Sequence, residues 1–378
     1  MKCPFDGGLS PLTTINLMTM NGDRTPVPSR VASLQDRVGH MDCRGVRNSI
    51  ARDLGISWIR MDVLPYGKIL RKAIFFQVPY IESEYERCVR TLDRTGVLGP
   101  LQDTESVGVI GIDGREYPVP TQEQLQGLFA RNKDLVDRKL AQGFTQLQLT
   151  PMAMAIPQLV DRVSDAVRRH AEAGGIIATK MDPAEADVPI RANTDEPVWI
   201  WDRVRQALDT PDLVYFPRAY TERDHKGLTK EEVMQELSLC AMPGWSVGLI
   251  EPIPIMPRQG MGKVMGGRKQ LEAYSTPHDY LETLGTSDYE GETGWTLEDF
   301  LTHFMIQLET TGQVSHDRSD GNAMWLLGSY MPTVMPKALI VPTGTWARDA
   351  GRRMFLGAHR TGNRLRDWVA RSTVRLEG

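Results

Sequence analysis

The chain has 378 residues, 41% of them apolar and 24% charged, and a net charge of -4. These numbers exclude a collagen-like, low-complexity or disordered chain and predict a globular protein with more than one core. No apolar run is long enough for a membrane-crossing helix, so no membrane span is expected.

The first residues, Met1 to Gly8, lack the apolar core of a signal peptide, which predicts a cytoplasmic chain by default. Pro and Gly punctuate the first thirty positions and predict loop or an extended arm. Ile69 to Tyr80 reads as a strand, and Ile81 to Thr91 as a short helix. Gly108 to Pro120 predicts a hairpin with Asp113-Gly114 at its turn. Thr121 with Gln124 is a capping-box pair. A helical stripe follows it (Leu125, Leu128, Phe129, Val136, Leu140) and stops at Gly143. Phe144 to Leu149 alternates as a strand does, and Pro157 to His170 carries a second apolar stripe. Ile176 to Thr179 reads as another short strand.

Met181 to Asp195 is rich in Pro and Asp and reads as a linker. Short strands and aromatics dominate beyond it: Val198 to Trp201, Leu213 to Phe216 and Trp245 to Ile255. Thr229 with Glu232, Thr276 before Pro277, and Thr296 each predict a helix start. Glu298 and Asp299 suit the positive end of the last of these helices, which Gly312 ends. From Ala323 onwards short apolar runs alternate with Gly and Pro, as in β-strands joined by long loops. The expected organisation is α+β: an N-terminal arm or small domain (1–105), an α/β module (106–185) and a β-rich C-terminal domain (186–378).

The four cysteines are Cys3, Cys43, Cys88 and Cys240, and none forms a Cys-x-x-Cys pair. Reduced thiols are expected, with no metal and no cofactor. Gly260 to Lys269 has glycines and lysines like a phosphate loop but lacks the Gly-Lys-Ser/Thr ending. A flexible loop is the preferred reading, and a nucleotide-dependent enzyme using this loop is the alternative. Asp224-His225 and His316-Asp317 with Asp320 are short of a third metal ligand at useful spacing and read as exposed loop residues, although Asp317 and Asp320 with backbone carbonyls offer the oxygen ligands of a Ca²⁺ site. From Lys337 to the end, nine Lys/Arg face three acidic residues. That basic end supports a second alternative, a nucleic-acid-binding protein, but a solvated rim of arginines is the preferred reading.

In the C-terminal stretch, hydrophobic anchors (Ala338 to Val341, Trp346, Met354 to Leu356, Val369 to Ala370, Val374) alternate with small or polar residues. Such alternation holds side chains at the surface without disturbing a core. From about Gly111 onwards the chain is similar to a family of uncharacterised proteins of small-genome bacteria. The segments that carry the likeness are Arg115 to Thr121, Gln142 to Leu149, Glu196 to Asp202, Gly266 to Ala273 and Val369 to Leu376. Several members look like variable proteins of diversity-generating retroelements. The C-terminal end resembles the variable region of such proteins: a Gly/Trp strand, a Gly-x-Arg step, a mixed loop and an Ala-Arg-rich last strand.

The resemblance implies a C-type lectin fold, akin to that of formylglycine-generating enzymes, and a non-enzymatic ligand-binding function. A reverse transcriptase encoded nearby would rewrite the codons of a hypervariable region. The partner would be a variable protein or cell-surface ligand. The implied ligand-binding positions are Thr343, Gly344, Thr345, Ala347, Asp349, Phe355, Gly357, Ala358, His359, Arg360, Leu365, Arg366, Asp367 and Trp368. Trp346, Arg352, Leu356, Ala370 and Arg371 would be scaffold. The formylglycine-generating chemistry needs paired cysteines, and the C-terminal domain has only Cys240.

Overall fold

The structure is a computed structural model. It describes residues 77–102, 106–176, 189–240, 242–335 and 338–377, all within one compact unit spanning 73–378. The fold is mixed α+β. Among the described residues no helix is long and apolar enough to cross a membrane.

Helix α1 (Gln77–Arg94) buries Ile81, Cys88 and Leu92 on one face. The strand expected over Ile69 to Tyr80 lies partly outside the described residues, and Gln77 to Tyr80 form the first turn of α1. A small antiparallel sheet follows, β1 (Gly99–Pro100), β2 (Val107–Ile110) and β3 (Glu116–Pro118). Its β2–β3 turn has Gly114 at φ +76°, as the Asp-Gly pair predicts. Thr121 caps α2 (Gln122–Arg131) with the full capping box. The single helix expected up to Gly143 instead breaks at Asn132, whose amide donates to Leu128 O, and restarts as α3 (Lys133–Ala141).

β4 (Gln146–Thr150) leads to α4 (Ile156–Glu172), with Pro at its start. The strand expected at 176–179 and the linker expected at 181–195 lie largely outside the described residues. Then come β5 (Val198–Ile200), α5 (Asp202–Ala207), β6 (Val214–Tyr215), α6 (Lys230–Ser238), β7 (Ser246–Ile250) and the hairpin β8 (Val264–Met265) and β9 (Arg268–Lys269). α7 (Pro277–Leu284), β10 (Glu292–Gly294) and α8 (Leu297–Thr311) precede the C-terminal strands β11 (Ala323–Trp325), β12 (Ser329–Met335), β13 (Ala338–Ala347), β14 (Arg353–Arg360), β15 (Trp368–Ala370) and β16 (Ser372–Arg375).

Two sheets meet at α8. One has the order β10-β16-β7-β4, and the other runs β15-β11-β13-β12-β6 with β14 and β5 beyond β13. α8 lies among α4, α1, β4 and β13. Its first three turns are buried nearly all round, with Leu297, Phe300, Leu301, Phe304, Met305 and Leu308 fully so, as in a central helix. Glu298 and Asp299, expected to serve only the helix dipole, are buried too. Glu298 accepts from Tyr215 Oη at 2.8 Å and pairs with Lys230, and Asp299 pairs with Arg375.

β4 pairs with β7 along its length and α4 packs on α8, so the boundary expected at 185/186 is no break in the core. The free edge of β4 is covered by α1. Leu147 N donates to Glu84 at 3.0 Å, and Arg87 donates to Leu147 O at 2.7 Å. Covering an edge in this way blocks stray strand pairing. Behind β10 and β16, Glu292 accepts from Lys139 Nζ (2.6 Å), Arg268 Nε (2.7 Å) and Ser372 Oγ (2.6 Å), all of them buried.

Candidate ligand-binding face

β13 and β14 form an antiparallel ribbon in the register Val341↔His359, Thr343↔Gly357 and Thr345↔Phe355. Gly351 (φ +96°) and Arg352 (φ +54°) make the turn between them. Successive side chains alternate between faces, and directly opposed residues share one. Ile340, Pro342, Gly344 and Trp346 therefore lie on one face with Met354, Leu356 and Ala358. That face meets α8. The Trp346 ring stacks on Phe304 at 6.1 Å, and a Cβ added to Gly344 would meet the Phe300 ring at 2.5 Å.

The opposite face carries Val341, Thr343, Thr345, Phe355, Gly357 and His359. β5 extends it by setting Trp199 opposite Phe355, with ring centroids 5.0 Å apart. β11 and β15 extend it on the other side through Trp325 and Trp368. Trp325, His359 and Trp368 form a ring cluster, with Trp368 4.8 Å from each of the other two. Trp325 is fully buried, whereas Phe355, Gly357, His359 and Trp368 are half-buried.

The structure thus brings Phe355, Gly357, His359 and Trp368 together on one face. Thr343, Gly344, Thr345 and Ala347, expected to meet ligand, are buried. β13 is an interior strand, flanked by β14 on one edge and by β11, β12 and the 316–317 segment on the other. Thr345 Oγ1 donates to His316 O at 2.8 Å, and Gly344 faces Phe300. Asp349 lies in the exposed turn and pairs with Arg318 at 2.9 Å. Ala358 is on the core side. Arg360 is exposed at the end of β14, and alternation sets it opposite to His359. Leu365, Arg366 and Asp367 lie in the loop leading to Trp368, with the last two exposed. Of the expected scaffold positions, Trp346, Leu356, Ala370 and Arg371 are buried, but Arg352 is an exposed turn residue.

Trp199 and Trp325 complete the face and were not among the expected positions. The alternation in Val198-Trp199-Ile200 sets Trp199 apart from its buried neighbours, but nothing in the sequence joins β5 to β14, some 150 residues away. Arg353 stacks over Phe355 at 5.3 Å and pairs with Glu196. Arg364 pairs with Asp279 at 2.9 Å. Burial holds the His359 imidazole below the usual histidine range, so it is neutral at pH 7 and offers one donor and one acceptor. Among the described residues, neither that imidazole nor the Thr343 hydroxyl has a hydrogen-bond partner.

The other motifs take structural roles. The glycines of Gly260 to Lys269 lead into the β8–β9 hairpin and not into a helix. Glu272 accepts from Gly260 N (2.9 Å) and Gly262 N (2.8 Å) and pairs with Lys269, so a carboxylate of the chain itself fills the anion position. His316 was expected in an exposed loop but is fully buried beside Trp295, Phe300 and His303. Asp317 and Asp320 are both held by Arg348 at 3.0 Å, and His225 Nδ1 accepts from Gly227 N. Among the described residues, no group of three or more His, Cys, Asp or Glu is placed to hold a metal ion. Comparison with known proteins finds no family model, no curated protein and no solved structure that matches this chain.

Proposed function

We propose that this chain is a ligand-binding protein, not an enzyme, with a C-type-lectin-like C-terminal part that displays recognition side chains on the open face of the β13–β14 ribbon. The observation that carries the reading is the division of that ribbon. Alternate residues are locked on α8, while Phe355, His359 and Trp368 gather with Trp199 on the other side. Aromatic anchors on a rigid frame supply contact area at low entropic cost. In the same reading the displayed codons are diversified by a retroelement, which the resemblance of the C-terminal segments supports.

The alternatives have less behind them. Glu272 stands where a nucleotide phosphate would sit. Arg348, Arg353, Arg364 and Arg375 of the basic end are spent on ion pairs within the chain, which weakens a nucleic-acid role.

Two libraries test the display reading. Randomising Phe355, His359, Arg366 and Trp368 together should give mostly folded, soluble chains. Randomising Gly344, Trp346, Met354 and Leu356 should give almost none. Equal intolerance would sink it. The diversification claim has a separate test in the flanking DNA. A near-identical template repeat and a reverse transcriptase gene should be present, with mismatches confined to adenines.

A further inference from the structure

Gly357 sits in the middle of the open face, between Phe355 and His359. Same-face neighbours on a strand are about 6.8 Å apart, so a missing side chain between two large ones leaves a notch about one side chain wide. A Cβ added to Gly357 would meet one described atom within 4 Å, Thr343 Oγ1 at 3.3 Å. The walls are held from behind: Phe355 by Trp199 and Arg353, and His359 by Trp325 and Trp368.

The charge and polarity of the notch narrow what can enter it. Arg353 is neutralised by Glu196, and His359 is neutral, so nothing in the walls calls for a charged group. Aromatic walls favour an aromatic guest, through offset or edge contacts. The Thr343 hydroxyl and the His359 imidazole lose water when the notch is filled and need a polar partner in return. The notch is too open to enclose a free small molecule as ligand pockets do. Trp199 and Trp368, half-buried on either side, extend the contact surface beyond it.

We infer that the notch over Gly357 is a subsite for one neutral aromatic side chain with a polar edge, a tyrosine presented by a protein ligand. The inference rests on the ligand-binding reading above.

Panning phage-displayed random peptides on the full chain tests it. The selected peptides should share a tyrosine. Changing it to phenylalanine should weaken binding by roughly 3- to 10-fold, the scale of one hydrogen bond. Gly357→Val should weaken binding by more than about 30-fold, with only a small drop in melting temperature, because valine suits a strand and its Cβ needs the Thr343 side chain, at 3.3 Å, to give by a few tenths of an ångström. Thr343→Val should remove the preference for tyrosine over phenylalanine and keep the rest of the affinity. Peptides that are lost on Trp368→Ala but indifferent to Gly357→Val overturn the subsite and leave the binding face standing. A panning that returns no peptide sensitive to either change overturns both.

Discussion

The two faces of the β13–β14 ribbon are built from the same strands and held by opposite means. The covered face is apolar and close-packed, with Trp346 on Phe304 and Gly344 under Phe300. The open face has rings in contact with one another, a glycine notch, and polar groups without partners among the described residues. The covered face can change only at the expense of the fold, whereas in the proposed reading the half-buried Phe355, Gly357, His359 and Trp368 of the other face can change at the expense of recognition. That separation is what a surface built for binding requires.

The comparison breaks first at Trp346. Trp346→Ala removes a fully buried indole and should cost about 3–5 kcal/mol in denaturant unfolding. A loss under about 1 kcal/mol would mean that the covered face is not the anchor. Nearly as large is the effect expected at the ionic part of the core. Glu292→Gln leaves Lys139 and Arg268 buried beside an uncharged side chain, and should cost about 3–5 kcal/mol by the same measurement.

Acid should loosen the covered side next. Burial, with the Arg371 guanidinium adding to it, holds His303 and His316 well below the usual histidine range. The folded chain therefore binds fewer protons than the unfolded chain below about pH 6.5. The histidine contribution to stability is complete above that pH and is lost as the pH falls, by up to about 1.4 kcal/mol per pH unit for each imidazole. Urea midpoints between pH 7.5 and 5 should show the slope, and a His303→Gln, His316→Gln double variant should flatten it. The smallest effect belongs to the open face. Arg353→Ala breaks a partly exposed pair with Glu196 and should change stability by less than about 1 kcal/mol. A larger loss there would show that the open face also carries the fold.

Local chemistry was legible without the fold. Thr121, Thr229, Thr276 and Thr296 each cap a helix with a capping box. Of these, Thr121 with Gln124 and Thr229 with Glu232 stand out as pairs in the sequence. Gly312 ends α8 in the left-handed region at φ +68°. These signals are contained within four or five residues of chain. The break at Asn132 was not legible, because the apolar stripe runs through it. The role of the phosphate-like glycines was not legible for a related reason, since Glu272 and Arg268 decide it through contacts beyond the motif.

By itself the sequence determined an α+β chain, the starts of most helices, and a C-terminal segment in which anchors alternate with smaller and polar residues. Strand alternation fixes that residues 341, 343 and 345 share a side, but not whether that side meets water. Only the tertiary structure decided this. It placed β13 between β14 and β11, buried Thr343 and Thr345, and brought Trp199 beside Phe355. The physical reason is that burial depends on which strands pair and what packs over them, neither of which the two-residue alternation encodes, and the β5–β14 pairing joins segments more than a hundred residues apart.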